Sequence, residues 1–242
     1  MNTSVDQIQI NDVSVNVIRK DIKNIHLAVY PPCGRIRLAA PLKTSDETIR
    51  MLILSRTLWI KKQQLKFNNQ ERQGKREYVS GESHYLWGKR YRLNVRNTDA
   101  TPKVEIKRPT FIDLYITPES NIRHREEVLD RFYRNELQKN LVSLAVKWKN
   151  ITKISVNEFR IKKMKTRWGT CNENEKRIWL NLELAKKPVH CLEYVLLHEI
   201  IHITEKKHSD RFTTEMNKYM PQWQQYKSEL NQFPLSHSDW AY

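Results

Sequence analysis

The run His198-Glu199-Ile200-Ile201-His202 constrains this 242-residue chain more than any other stretch of its length. It follows the apolar segment Tyr194-Val195-Leu196-Leu197 and carries two isoleucines of its own, which predicts a largely buried helix. On a helix, residues i and i+4 share a face about 6 Å apart along the axis, so both imidazoles can converge on one metal ion. Glu199 projects about 100° away from His198 and stays out of the coordination sphere, where it reaches a metal-bound water as general base. The rival reading is two core histidines satisfied by hydrogen bonds; buried imidazoles with no partner would cost free energy.

Zinc suits such a site, because it polarises a carbonyl and brings the pKa of its water near neutrality, but a catalytic zinc takes three protein ligands and one open position. His208 is the best third ligand. The spacing of His198, His202 and His208 equals that of the metzincin signature, with Glu205 where those enzymes place glycine. A straight helix would carry His208 about 15 Å along the axis from His198. The helix must therefore end near Ile203 to Glu205, and Lys206-Lys207 must turn the chain back. Glu205, at i+7 from His198, and Glu215, on the next helix, are the competing ligands. His190 and Cys191 read as packing or surface groups, and His26, His84, His124 and His237 as structural or exposed.

The rest of the chain sets this helix in an α+β context. Alternating apolar residues predict strands over Val13–Ile18, Ile25–Val29 and Ile36–Ala39, with a turn at Pro31-Pro32-Cys33-Gly34. Thr44 or Ser45 caps a helix that runs towards Gln73-Gly74. Tyr85 to Val95 reads as a hairpin turning at Gly88, and Lys103–Ile106 and Phe111–Ile116 as further strands. Texture changes near Pro118, which divides the chain into a β-rich basic portion with one long helix, 1–118, and a helix–strand–helix portion that carries the pentad, 119–242, the part that the resemblance below implies to be a zincin-like catalytic portion. In the second portion a helix covers 121–150, strands cover Phe159–Met164 and Ile178–Leu184, and Trp168-Gly169-Thr170-Cys171 forms the loop between them. Pro188 sits in the first turn of the pentad's helix, and Pro221 kinks or splits a helix over Asp210–Leu230. No internal repeat is evident.

Those segments carry a family resemblance. Arg167-Trp168-Gly169-Thr170-Cys171, the strand Ile178-Trp179-Leu180-Asn181-Leu182, the pentad and His208-Ser209-Asp210-Arg211-Phe212 together resemble the YgjP-like metallopeptidases, relatives of the SprT-like and WLM-type zinc peptidases. The family pattern has Ser where Thr170 stands and Leu where Ile200 stands. The resemblance spans most of residues 13–230 and is specific over 167–212. It implies zinc ligation by His198, His202 and His208, with Glu199 as the base, and a family turn that reaches the third histidine without glycine. It also implies a small zincin-like core with a mixed sheet. In peptidases of this build the substrate pairs as an added strand along a sheet edge. Gly169 would then allow close backbone approach, and Arg167 would hold a carboxylate or carbonyl of the substrate. Trp168 and Cys171 read as a structural corner. Tyr219, His237 and Arg167 are candidates by type for stabilising the oxyanion.

Composition narrows the remaining classes. Forty-three Lys and Arg against 27 Asp and Glu leave a charge of +16. From His198 onward five basic residues stand against six acidic ones, so the basic excess lies in residues 1–197. That excess admits a second reading, a nucleic-acid-associated protein, either a peptidase acting on DNA-bound proteins or a basic module whose zinc is structural. A closed structural zinc needs a fourth ligand, usually Cys, and no cysteine follows Cys191. Three cysteines without Cys-x-x-Cys spacing, the absence of a long apolar run and a polar start at Met1-Asn2-Thr3-Ser4 point to a reduced, cytoplasmic protein with no membrane segment. The expected activity is hydrolysis of peptide bonds in a peptide or protein substrate.

Overall fold

The computed structural model describes residues 5–30, 34–68, 76–107, 109–164 and 167–232. The fold is α+β, in two compact units that divide after Glu71. In the first unit, β1 (Val5–Ile10) and β2 (Val13–Lys20) form a hairpin, β3 (His26–Tyr30) and β4 (Arg35–Pro41) form another, and the sheet order is β1-β2-β4-β3 with β2 and β4 parallel. Helices α1 (Asp46–Ser55) and α2 (Thr57–Asn68) follow. Strand alternation turns Val13, Val15, Val17, Ile36 and Leu38 inward, where they pack with Ile49, Ile53 and Ile60 of the helices. Ser45 caps α1, its Oγ accepting from Thr48 N at 3.2 Å. The predicted single helix is thus two, broken at Arg56; its predicted exit at Gln73-Gly74, like most of the turn at 31–34, lies outside the described residues. Strand β1 was not expected from the sequence.

The second unit starts by repeating this plan. Strands β5 (Ser83–Leu86), β6 (Lys89–Asn97), β7 (Lys103–Lys107) and β8 (Phe111–Ile116) form a sheet of order β5-β6-β8-β7, again with two antiparallel pairs around a parallel β6–β8 centre, and the capped helix α3 (Ile122–Thr152) follows. The chain therefore holds a four-strand-plus-helix motif twice, although no repeat is evident in the residues. Trp87 (φ 52°) and Gly88 (φ 79°) make the tight β5–β6 turn, which needs positive φ at both positions.

Beyond α3, β9 (Glu158–Lys162), β10 (Gly169–Asn172) and β11 (Arg177–Asn181) form the mixed sheet β10-β11-β9. A 3-10 turn over Leu182–Lys186 leads to α4 (Val189–Ile201), α5 (Asp210–Tyr219) and α6 (Trp223–Gln232). Pro221 falls between α5 and α6, as predicted. The expected loop at 168–171 is instead largely an edge strand, because β11 supplies a partner that the local sequence does not reveal. Leu93, Ile112 and Leu114 of the β5–β8 sheet share one core with Leu137 of α3, Ile178 and Leu180 of β11 and Leu192 and Leu196 of α4. The change of texture near Pro118 is thus no boundary in packing. Among the described residues no helix is long and apolar enough to cross a membrane.

Candidate metal centre

Helix α4 is apolar on nearly all sides: Leu192, Val195, Leu196, Leu197, Ile200 and Ile201 are buried, so the helix runs through the core. Its close contact with Gly169 of β10 sets Glu199 and Val195 against that strand, and His198 and His202 line the same cleft as β10. The Nε2 atoms of His198 and His202 lie 3.1 Å apart, those of His202 and His208 3.1 Å, and those of His208 and His198 3.0 Å. Nitrogens about 2.0–2.1 Å from a tetrahedral zinc would span a triangle of similar size. Three ring nitrogens turned on one another cannot all be satisfied by shared protons, so the donor set suits a cation. These three are the residues of the cluster that could hold a metal ion.

The loop brings His208 back without a glycine. Backbone N–H groups of Ile203, Thr204 and Glu205 donate to the carbonyls of Ile200, Ile201 and Ile201 at 3.1, 3.0 and 2.9 Å, tightening the last turn of α4. No residue from 203 to 208 has positive φ. Glu205 pins this turn: its carbonyl accepts from His202 Nδ1 at 2.8 Å and its carboxylate meets Arg211 at 2.9 Å. That hydrogen bond fixes the tautomer of His202 with the Nε2 lone pair facing the cluster. The carboxylate of Glu205 is thereby committed elsewhere, and Glu215 is not part of the cluster.

Phe212, the last residue of the His208-Ser209-Asp210-Arg211-Phe212 motif, has a structural role that the motif does not reveal. Its ring centroid stands 5.0, 4.8 and 4.8 Å from those of His198, His202 and His208, and it is 1% exposed. One buried ring thus backs all three imidazoles. Ser209 positions it by capping α5, accepting from Phe212 N at 3.3 Å.

Burial, reinforced by the neighbouring His202 and His208, pushes the pKa of His198 down to about 3, and burial likewise lowers that of His208. Both rings are held neutral, the form that ligates metals. Glu199 is 6% exposed; burial raises its pKa to about 7 against the opposing pull of Arg167. A cleft of about 370 Å³ opens over the cluster, bounded by Glu199 and the histidines on one side and by Arg167, Gly169 and Cys171 on the other. Glu173 and Lys206 close one end with an ion pair at 2.7 Å.

Gly169 sits differently from its expected role. A Cβ there would come within 2.7 Å of Glu199 Oε1 and 2.9 Å of Val195 Cγ1, so the close approach it permits is that of α4 to β10. Arg167 lines the cleft, whereas Tyr219 is not among the lining residues and His237 lies outside the described ones. Burial, with Glu199 and Glu173 nearby, pushes the Cys171 thiol up to about 12, and Trp168 packs against the main core; Cys171 stands on an edge strand and lines the cleft.

Asn181 carries a structural role that residue type alone does not reveal. It is 1% exposed; its Nδ2 donates to the carbonyls of Met164 and Arg167 at 2.9 and 2.8 Å, and its Oδ1 accepts from Glu183 N at 3.2 Å. It thereby staples the segment leading into β10. Away from the cleft, His190, Cys191 and Glu229 form another cluster with ligand-type atoms, but His190 Nε2 already meets Glu229 Oε2 at 2.7 Å. His84 is buried against Tyr133, as the structural reading expected.

Comparison with known proteins agrees with the sequence resemblance. The YgjP-like metallopeptidase domain matches residues 23–233. Among solved structures, the metallopeptidase zymogen of Methanocaldococcus jannaschii jannalysin is similar at 26% identity, with 41% of this chain and 88% of that chain covered and a TM-score of 0.31. The metallopeptidase zymogen of Pyrococcus abyssi abylysin is similar at 18% identity, covering 40% and 90%, with a TM-score of 0.32. No curated protein matches the chain.

Proposed function

The chain belongs to the YgjP-like metallopeptidase family, and from that premise we propose that it hydrolyses peptide bonds with zinc held by His198, His202 and His208 and with Glu199 as the general base. The observation that carries this reading is the meeting of three Nε2 atoms within 3.1 Å of one another beside a buried carboxylate, under an open cleft. Bound there, zinc supplies Lewis acidity towards a peptide carbonyl and towards water.

The protein's own groups do the rest. Glu199 takes a proton from the attacking water on a carboxylate oxygen and delivers it to the departing amine nitrogen. Desolvation serves this role, because a carboxylate held out of water is a stronger base than an exposed one. Strand β10 lies at the edge of its sheet and offers backbone groups to an extended peptide, which aligns the scissile bond over the cleft. Arg167, at the rim, holds a carbonyl or carboxylate of that peptide, while Gly169 keeps Glu199 against the strand. Three imidazole nitrogens suit zinc better than the harder divalent cations, which prefer oxygen ligands.

The test is Glu199→Gln. Zinc content by atomic emission should stay at one per chain while hydrolysis of a quenched-fluorescence peptide library disappears. Full activity in that variant would refute the mechanism.

A further inference from the structure

The two four-stranded sheets allow an internal comparison, because β3 and β7 hold the same place in the same topology. Each is the third strand in sequence, lies at one edge, and pairs with one neighbour among the described residues. Exposed edges invite pairing with other chains, and folded proteins blunt them with charge, proline or bulges. Strand β7, Lys103-Val104-Glu105-Ile106-Lys107, is guarded in this way: Glu105 pairs with Lys103 at 2.8 Å and with Lys107 at 3.2 Å along its length. Strand β3, His26-Leu27-Ala28-Val29-Tyr30, contains no Lys, Arg, Asp, Glu, Pro or Gly.

Beside the unguarded edge lies a groove of about 360 Å³, lined by Ile25 and Leu27, by Leu52 and Arg56, and by Trp59. Trp59 is 40% exposed, and no carboxylate pairs with Arg56 among the described residues. The surroundings are basic: residues 5–68 hold eleven Lys and Arg against five Asp and Glu.

We propose that β3 and this groove receive an extended, acidic segment of polypeptide, which adds a fifth strand to the sheet, seats alternate apolar side chains in the groove and sets a carboxylate on Arg56. A strand edge selects for polypeptide, since only another backbone offers matching N–H and C=O groups at the repeat of the sheet. Ile25, Leu27 and Leu52 suit Val or Leu, and the Arg56 guanidinium, which meets no carboxylate among the described residues, selects for carboxylate within a basic unit. This inference rests on the peptidase reading only for its purpose: the segment belongs to a protein substrate, and its capture brings that substrate to the enzyme.

The test uses the full chain carrying Glu199→Gln, with a short fluorescein-labelled peptide, Thr-Val-Glu-Leu-Thr-Glu-Glu-Thr, whose second, fourth and sixth side chains (Val, Leu and Glu) share the face turned to the groove and Arg56, followed by anisotropy. Saturable binding is expected, weakened about tenfold or more by Arg56→Glu and by Trp59→Ala in proteins whose circular dichroism is unchanged. N-methylation of one alternating set of peptide amides should abolish binding, and methylation of the other set should be tolerated. Absent binding, equal binding of the Lys-for-Glu peptide, or equal tolerance of both methylation patterns would overturn the proposal. So would a single-stranded oligonucleotide that binds more tightly and shows the same loss on Arg56→Glu. Because binding is read in a variant that does not cleave, failure of wild-type hydrolysis would remove the peptidase reading and leave this docking site standing.

Discussion

The α-carbon of Gly169 lies so close to Glu199 that a methyl group on it would stand 2.7 Å from Oε1 and 2.8 Å from Cγ. Helix α4 and strand β10 therefore meet through a contact that no side chain but hydrogen permits, and the carboxylate takes its place from that contact.

Gly169→Ala should shift Glu199 while leaving the histidines where they are. Misplacing a reacting group by about 1 Å costs on the order of a hundredfold in rate. The expected result is a fall in kcat of roughly tenfold to a hundredfold, with unchanged zinc content; steady-state kinetics beside metal analysis would separate the two.

Removing Phe212 should act on the metal. Phe212→Ala deletes the ring that backs all three imidazoles, and zinc affinity should fall about 10- to 100-fold, as for loss of a group that orients ligands. Competition with a fluorescent chelator measures this. Phe212→Leu, which refills most of the volume, should recover stability more fully than affinity.

Asn181→Leu tests the staple behind β10. It leaves the part-buried carbonyls of Met164 and Arg167 and the buried N–H of Glu183 without their partner. A loss of about 3 kcal/mol in urea unfolding is expected, together with faster amide exchange over 167–172.

Acid should destabilise the protein through His84. Its pKa falls to about 3, first because it is buried and then because Arg76 and Lys186 are near. Glu82 stands 3.7 Å from Nε2 but gives the same carboxylate oxygen to Arg76 at 2.8 Å, so the ring stays neutral. Between pH 6.5 and about 3 the unfolded chain binds the proton that the folded one refuses, so stability drops as pH falls through that window. The contribution is a few kcal/mol, and His84→Gln should flatten this part of the curve in denaturant titrations at stepped pH.

Local patterns were legible where neighbours in sequence are neighbours in space. The pentad announces its helix and the pairing of His198 with His202 because both follow from one helical repeat. The same holds for the Gly88 hairpin and, to within one residue, for the helix cap that local sequence narrows to Thr44 or Ser45. The doubled β-sheet plan is not legible in the residues because a sheet asks only for alternation, which Val13–Lys20 and Lys89–Asn97 satisfy with unrelated residues. Strand β10 looks like a loop in the sequence because four residues beginning at Gly169 become a strand only when β11 pairs with them.

Sequence alone determined the chemistry available: two imidazoles and a carboxylate on one helix, a third imidazole six residues on, and a family pattern around them. Tertiary structure decided how they are arranged. The return of His208 depends on Glu205 bonding both His202 and Arg211, the backing ring comes from α5, and the seat of Glu199 comes from a glycine thirty residues earlier in the chain. Hydrogen bonds and packing between distant segments set these positions, and their energies depend on distances that a linear order of residues does not contain.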